Sequence, residues 1–541
     1  MKNKDTKKTR TVEEKIKSAE SGDLGCLFEV AEWYALGKYS LDQNKALSNE
    51  YYSNIREKLS TARPYISELE VINFKGIKEV KGSLRLHPNI NVFVGINGCG
   101  KTTLLDAIVK SASWLTNGIR TKGIGKKIDN HEINNNPKSN DCFIKTVFTV
   151  NDKTEFELML FKSKKSSRLS SELAELKILS EMYRFYHDEN ESYSLPLFAH
   201  YSVSRSLEIK LESNSKEEIS LSPKLDAYKH CFDEHKKYKQ LVEWLVQLDA
   251  LSSHDSQIEK DYLKKISEFE TIDRIYKSLP DEIKLHQQFG IDMQRDMSEL
   301  RTEIQNLEVL RNDTDSVVVK VVKEAIYKFM DISNIRVEID DDTISVLMDK
   351  SGTTISSDEL SQGEKALFSI VSDISRRLVL LNPGKGNHSL HGAGVVTIDE
   401  IDLHLHPKWQ QDIVIKLSEV FPNIQFILTT HSPQVLSTIP NYCIKALDNN
   451  ENGILSVQEP RFSLGSESKM ILEDIFLTDS RPDKVDEVQK LNRYKELIKE
   501  DRWDTDEALE LESELVSWAG EHDPIMRQLK MDIRLRERRR G

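Results

Sequence analysis

Nine residues constrain this chain more than any others: Gly95-Ile96-Asn97-Gly98-Cys99-Gly100-Lys101-Thr102-Thr103. An apolar, strand-like run precedes them, Ile90-Asn91-Val92-Phe93-Val94, and Leu104-Leu105-Ile108-Val109 follows at helical spacing. Strand, glycine loop and helix form the setting in which backbone N–H groups close around phosphates at a helix N-terminus. Lys101 is expected to reach the β- and γ-phosphates and Thr102 to offer its hydroxyl to Mg²⁺. Gly95, Asn97, Gly98, Gly100 and Thr103 complete the expected nucleotide-binding set. Cys99 reads as a small filler residue.

Two further segments have the form of buried parallel strands that end in chemistry. Val395-Val396-Thr397-Ile398 runs into Asp399-Glu400, and Ile424-Gln425-Phe426-Ile427-Leu428 runs through Thr429-Thr430 into His431-Ser432-Pro433. Continuous apolar runs mark such strands, and ligands sit at their carboxyl ends. Asp399 is then expected to hold Mg²⁺, Glu400 to polarise the attacking water, and His431 to stand beside Glu400 and contact the γ-phosphate. Between the loop and the acid pair lies Leu360-Ser361-Gln362-Gly363-Glu364. By itself it reads as a capping box, Ser361 with Glu364, ahead of the apolar run from Ala366.

Taken in this order, the segments resemble the ABC-type ATPases of the repair and chromosome-organising kind. Leu360 to Glu364 stands where their signature stands, and Ile66 to Ile77 looks like their first strand. The resemblance implies an α/β fold: an ABC-type P-loop ATPase head with a mostly parallel sheet. It implies ATP and Mg²⁺ as ligands and a head-to-tail homodimer, in which Ser361, Gly363 and Glu364 of one copy serve the nucleotide held by the other. Lys101, Glu400 and His431 are the catalytic group that it implies. Ile401 to Pro407 corresponds to a loop at the dimer interface, with Asp402 expected to communicate across it and its two histidines read against metal ligation. Leu195 to Arg205 is a strand followed by an arginine, Arg205; similar ATPases carry an aromatic residue and an arginine there, which implies a phosphate role for Arg205.

At 541 residues the chain has room for two or three domains. No apolar run reaches the eighteen or so residues of a membrane span, and Met1 to Asp5 lacks the apolar segment of a signal peptide. Five cysteines at scattered positions show no metal spacing, so the expected setting is the reducing cytoplasm. A net charge of −13 argues against wholesale wrapping of nucleic acid. Basic residues concentrate near the N-terminus and in Arg534 to Arg540, where they read either as contact patches or as solvated ends.

The organisation expected is a basic, flexible segment 1–11, short helices over 12–58, a first half-head over 65–205, an inserted helical arm over 206–330, a second half-head over 331–459 and an acidic helical tail over 460–541. The short helices are similar to a single Sel1-type repeat, which cannot bury both faces alone and needs the head or another chain. A polar stretch from Gly118 to Asn140 reads as a mobile loop. The arm shows Trp244-Leu245-Leu248 and Met297-Leu300-Ile304-Leu307-Leu310 at helical spacing.

The tail, with Arg481-Pro482 and Asp523-Pro524, resembles that of the Septu-type defence ATPases, including those that accompany retrons. This implies an antiviral complex with an HNH nuclease and, in the retron version, a reverse transcriptase and its multicopy single-stranded DNA. No strand-borne Glu followed by an Asp-x-Asp strand comes after His431, and no paired-histidine nuclease pattern is present, so cleavage is expected from another chain. Two other readings stand beside this one. One is a DNA-repair or DNA-bridging ATPase acting alone; the other is an ATP-stabilised scaffold with little turnover.

Overall fold

The structure is a computed structural model that describes residues 11–135, 140–151, 154–165, 171–203, 224–233, 264–269, 271–277, 279, 295–301, 303–304, 314–340, 343–450, 452–519 and 522–540. Arg205, Trp244, Leu245, Leu248, Leu307 and Leu310 lie outside the described residues, as does most of the expected arm. The chain divides into two units, 1–465 and 466–541.

The larger unit is built on one mixed sheet. Its strands are β1 (Tyr65–Phe74), β2 (Ile77–Val80), β3 (Leu84–Arg85), β4 (Ile90–Val94), β5 (Asp141–Val150), β6 (Thr154–Ser163), β7 (Leu197–Tyr201), β11 (Gly394–Ile398), β12 (Ile424–Thr429), β13 (Ile444–Asn449) and β14 (Ile454–Gln458). They run in the order β6-β5-β1-β2-β14-β13-β4-β12-β11-β7, with β3 on β1. The block β13-β4-β12-β11-β7 is parallel throughout, whereas β6, β5, β1 and β2 pair antiparallel. Composition explains the division. All residues of β7, β11 and β12 are buried, as a strand covered on both faces requires, while β6 buries every second residue from Thr154 to Leu160 and leaves the others half-buried or exposed.

Three strands, β8 (Ile332–Asp340), β9 (Thr343–Lys350) and β10 (Thr353–Ser356), form a separate antiparallel sheet just before the signature helix Gln362–Leu381. Helix Thr314–Met330 packs on that helix and on helix Pro407–Val420, so it is part of the head. Residues 118–135 are tied down: Ile128 and Ile133 are buried, and Trp114 Nε1 donates to the Lys126 carbonyl at 3.2 Å.

The N-terminal helices Val12–Glu20, Leu24–Leu36 and Lys45–Ser60 find their second surface on the head. Phe28 and Tyr52 pack on Phe185 of helix Ala174–Glu189, with centroid separations of 6.0 and 4.4 Å, and Arg56 pairs with Glu189 at 2.7 Å. Each aromatic contact of this kind contributes about 0.5–1.5 kcal/mol beyond burial.

The unit 466–541 is a small helical body of Ser468–Asp474, Asp486–Lys499, Asp506–Trp518 and Pro524–Arg540. Leu491, Tyr494, Leu497, Trp503, Leu515 and Met526 make its core. The two segments singled out in the sequence meet: Arg481 pairs with Asp523 at 2.7 Å, and Asp523 also caps the last helix by accepting from Ile525 N at 2.8 Å. The residues Arg534 to Arg540 extend that helix. No helix among the described residues is long and apolar enough to cross a membrane, and all five cysteines are buried and free.

Candidate active site

Parallel pairing brings the three motif-bearing strands together. β12 lies between β4 and β11, with Leu428 opposite both Val92 and Ile398, so the P-loop, the acid pair and His431 leave the sheet at one edge. The loop is shaped by left-handed backbone at Gly98 (φ +79°) and Gly100 (φ +112°), positions that cost glycine little. A Cβ on Gly98 would meet nothing within 4 Å, leaving the inside of the turn open as a phosphate cradle. Gly95 has a different role: a Cβ there would come within 2.5 Å of the Leu447 carbonyl on β13, so this glycine lets the loop pass the sheet.

Lys101, 7 % exposed, curls over the loop and donates to the carbonyls of Gly95 at 2.9 Å and Ile96 at 3.1 Å. The Thr102 hydroxyl donates to Asp399 Oδ2 at 2.9 Å. A hydroxyl and a carboxylate in contact at the head of a P-loop form the hard oxygen donor set that suits Mg²⁺. The residues present therefore fit MgATP, with Thr102 and Asp399 at the metal and Lys101 at the phosphates. Cys99 is buried, and burial pushes its thiol up, in keeping with a packing role.

Thr429, to which the sequence reading gave no role, ties the site together. Its hydroxyl donates to Asp399 Oδ1 and accepts from the Glu400 backbone N–H at 2.7 Å. Glu400 itself takes a left-handed conformation (φ +47°), uncommon for a residue with a side chain and typical of functional turns. This turn carries the chain away from β11 at the edge where His431 emerges. Asp402 next accepts from the Thr430 hydroxyl at 2.6 Å and from His431 N at 3.3 Å, fixing the histidine from within its own chain. Burial pushes the His431 ring below its ordinary value; Lys101 acts in the same direction, while Asp402, Glu400 and Asp399 oppose it. The ring thus senses Lys101 and all three acids.

Ser361 behaves as the capping box predicts: its hydroxyl accepts from Glu364 N at 3.3 Å, and its own N–H donates to Glu364 Oε2 at 3.1 Å. Lys350 at the end of β9 pairs with Glu364. Burial alone would raise the Glu364 carboxyl, yet the bonds from Lys350 and Ser361 hold it below its usual range. Gly363 is required by packing, since a Cβ would lie 2.4 Å from the His404 carbonyl. The signature therefore touches the loop after the acid pair within one chain, while Ser361 remains exposed. His406 in that loop caps helix Pro407–Val420, and no group of three or more metal-ligating side chains occurs among the described residues.

A buried node joins the signature helix to the acid-pair strand. The Tyr201 carbonyl accepts from Asp399 N at 2.8 Å, and its hydroxyl donates to Asp373 Oδ2 at 2.9 Å. Asp373 also holds Arg377 at 2.8 Å and Arg376 at 3.2 Å. Arg377 continues to the carbonyls of Ala227 and Lys229, in the described segment 224–233. Helical spacing of two arginines after an aspartate looks like an ordinary ion-paired face, so nothing local in the sequence signals this node.

Comparison with known proteins gives the family of the chain. The family model for the AAA ATPase domain matches residues 65–436. A probable ATPase of retron Vc95 from Vibrio cholerae serotype O1 biovar El Tor is 32% identical over 82% of this chain and 85% of its own length. A probable ATPase of retron Ec83 from Escherichia coli is 28% identical over 96% of both chains. The Septu protein PtuA of Bacillus mycoides is 35% identical over 23% of this chain and 18% of its own. The chain belongs to the AAA ATPase domain family. Within that family it is an ATPase of the retron and Septu defence type.

Proposed function

We propose that this chain binds MgATP at the P-loop and hydrolyses it only when two copies close head to tail, and that this closure regulates a partner nuclease in an antiviral complex. The observation that carries the reading is the single hydrogen-bonded run from Thr102 through Asp399 and Thr429 to the Glu400 backbone N–H. It joins the metal-binding residues to the acid that would act on water, so a change at the metal site is felt at the base.

In this reading Lys101 moves from the Gly95 and Ile96 carbonyls to the β- and γ-phosphates, and the N–H groups of the loop hold the remaining oxygens. Mg²⁺, when bound, supplies charge neutralisation between the phosphates. Glu400 accepts a proton from the attacking water, and His431, held by Asp402, orients toward the γ-phosphate. Ser361 and Gly363 of the second copy close the far side of the same phosphate, because catalysis of this reaction is mainly positioning and electrostatic stabilisation. The output of closure goes to another protein; an HNH nuclease is the partner that the resemblance to Septu and retron systems suggests. A reverse transcriptase with its single-stranded DNA would complete the retron form.

The test is Glu400→Gln in the full chain. ATP binding is expected to persist, a nucleotide-dependent dimer to accumulate, and phosphate release to fall by roughly 10²-fold or more, as loss of a general base does. Turnover at the wild-type rate would remove Glu400 from the role of base. Co-purification with a co-encoded nuclease, present with wild type and altered by this variant, is the corresponding check on regulation.

A further inference from the structure

The edge of the sheet opposite the P-loop holds a second polar cavity, of about 240 Å³, lined in part by Arg63, Tyr183, Ser194, Lys385 and His391. It sits below the N-terminal ends of β7, β11 and β12: Leu195, Pro196, Ala393 and Asn423, which immediately precede those strands, all line it. No Asp or Glu is among its lining residues. Two of its polar atoms, Tyr183 Oη and Ser194 Oγ, have no hydrogen-bond partner among the described residues, and neither has His187 Nδ1 one helical turn beyond Tyr183. Tyr183 is 2 % exposed and His187 9 %.

Unpaired buried polar atoms are rare in folded proteins and call for a partner that the described residues do not supply. Positive charge is in excess at the same place. Lys224 donates to the carbonyls of Glu191 and Tyr193, next to Ser194. Burial pushes this lysine down to about 8; Glu191, the acid that faces it, pulls the other way, and Lys385 adds to the fall. Burial and Lys224 likewise push the His187 ring down. Arg63 and Lys385 are both at the surface, and neither forms an ion pair among the described residues.

We propose that this cavity binds a phosphoryl dianion, either inorganic phosphate or a small phosphate monoester, between the Arg63 and Lys385 side chains, with the Tyr183 and Ser194 hydroxyls as donors. A phosphate monoester carries nearly two charges at neutral pH, which suits a pair of cations better than a carboxylate would, and guanidinium favours such oxygens. The volume lies below the roughly 300–1,000 Å³ of sites for larger ligands, so a second whole nucleoside triphosphate is not the occupant.

Equilibrium dialysis of the full chain with radiolabelled orthophosphate tests the assignment. Lys101→Ala, which removes the P-loop's phosphate contact, should retain saturable binding of about one phosphate per chain. Arg63→Ala combined with Lys385→Ala, both surface changes, should weaken that binding at least tenfold, and Tyr183→Phe about threefold without altering the melting temperature. Displacement by ribose 5-phosphate would assign a monoester as occupant, and resistance to it inorganic phosphate. Absence of saturable binding, its loss in Lys101→Ala, or an unchanged affinity in the double variant would overturn the proposal.

Discussion

The P-loop side and the signature side of the head satisfy their polar groups in opposite ways. Around the P-loop the groups are bonded to one another between two strand ends and the helix that follows the loop: Asp399 is 2 % exposed and joined both to buried Thr429 and to Thr102 at the head of that helix. At the signature, Ser361 is exposed and its side chain bonds, among the described residues, within its own turn, to Glu364. A buried network is preorganised and acts without rearrangement, whereas an exposed cap can exchange its partner for a ligand at small cost. This contrast is what a site shared between two copies would require, with the catalytic groups built into one and a contact surface presented by the other.

Mixing two inactive variants gives the largest effect that can break this comparison. Lys101→Ala disables the P-loop and Ser361→Arg the signature; each alone should lower ATP turnover by about 10²-fold or more. Combined, they form one site with an intact P-loop from one copy and an intact signature from the other, and turnover should recover to a sizeable fraction of wild type. A mixture as inactive as its components would show that each head works alone. The Ser361→Arg chain should still bind ATP within about twofold of wild type in a filter-binding measurement, since the P-loop side is complete within one chain.

A smaller effect is expected at the link inside that side. Thr429→Val preserves shape and removes one hydroxyl, taking one hydrogen bond from the Glu400 N–H and one from Asp399. A hydrogen bond to a charged group contributes about 1.5–3 kcal/mol, so turnover should drop by roughly tenfold at fixed Mg²⁺ and be partly restored at higher Mg²⁺. A loss that Mg²⁺ does not touch would separate Thr429 from the metal site and leave it a purely structural residue.

What the sequence discloses here follows from the range of the interaction. The P-loop, the acid pair and the terminal histidine announce themselves because each is a local pattern: glycines at left-handed positions, or a polar residue ending an apolar run. The strands that bear them were legible for the same reason. Thr429 is not, because a threonine at the end of a strand fits simple strand propensity and its partners lie about thirty residues away, just past the neighbouring strand. The resemblance assigns Asp402 to communication across a dimer, and the structure adds bonds within the chain, from Thr430 and His431, that spacing does not indicate. The N-terminal helices advertised an unfilled face, yet only the fold reveals that Phe185 fills part of it.

The smallest effect concerns the ion pair that steadies the signature. Glu364 is held below its ordinary value in the folded chain, so it is ionised there at pH values where the unfolded chain has begun to take up protons. Its contribution is therefore complete above the unfolded value and is lost as pH falls through the folded one. Both partners are partly exposed, with side-chain accessibilities of 28% for Lys350 and 18% for Glu364, so Lys350→Met should cost no more than about 1 kcal/mol near neutral pH. The variant's deficit in melting temperature should shrink as the medium is acidified below the ordinary glutamate range, because wild type loses the same pair. A deficit that stays constant with pH would mean that Lys350 acts by packing on β9, and that the Ser361 to Glu364 box alone holds the signature in place.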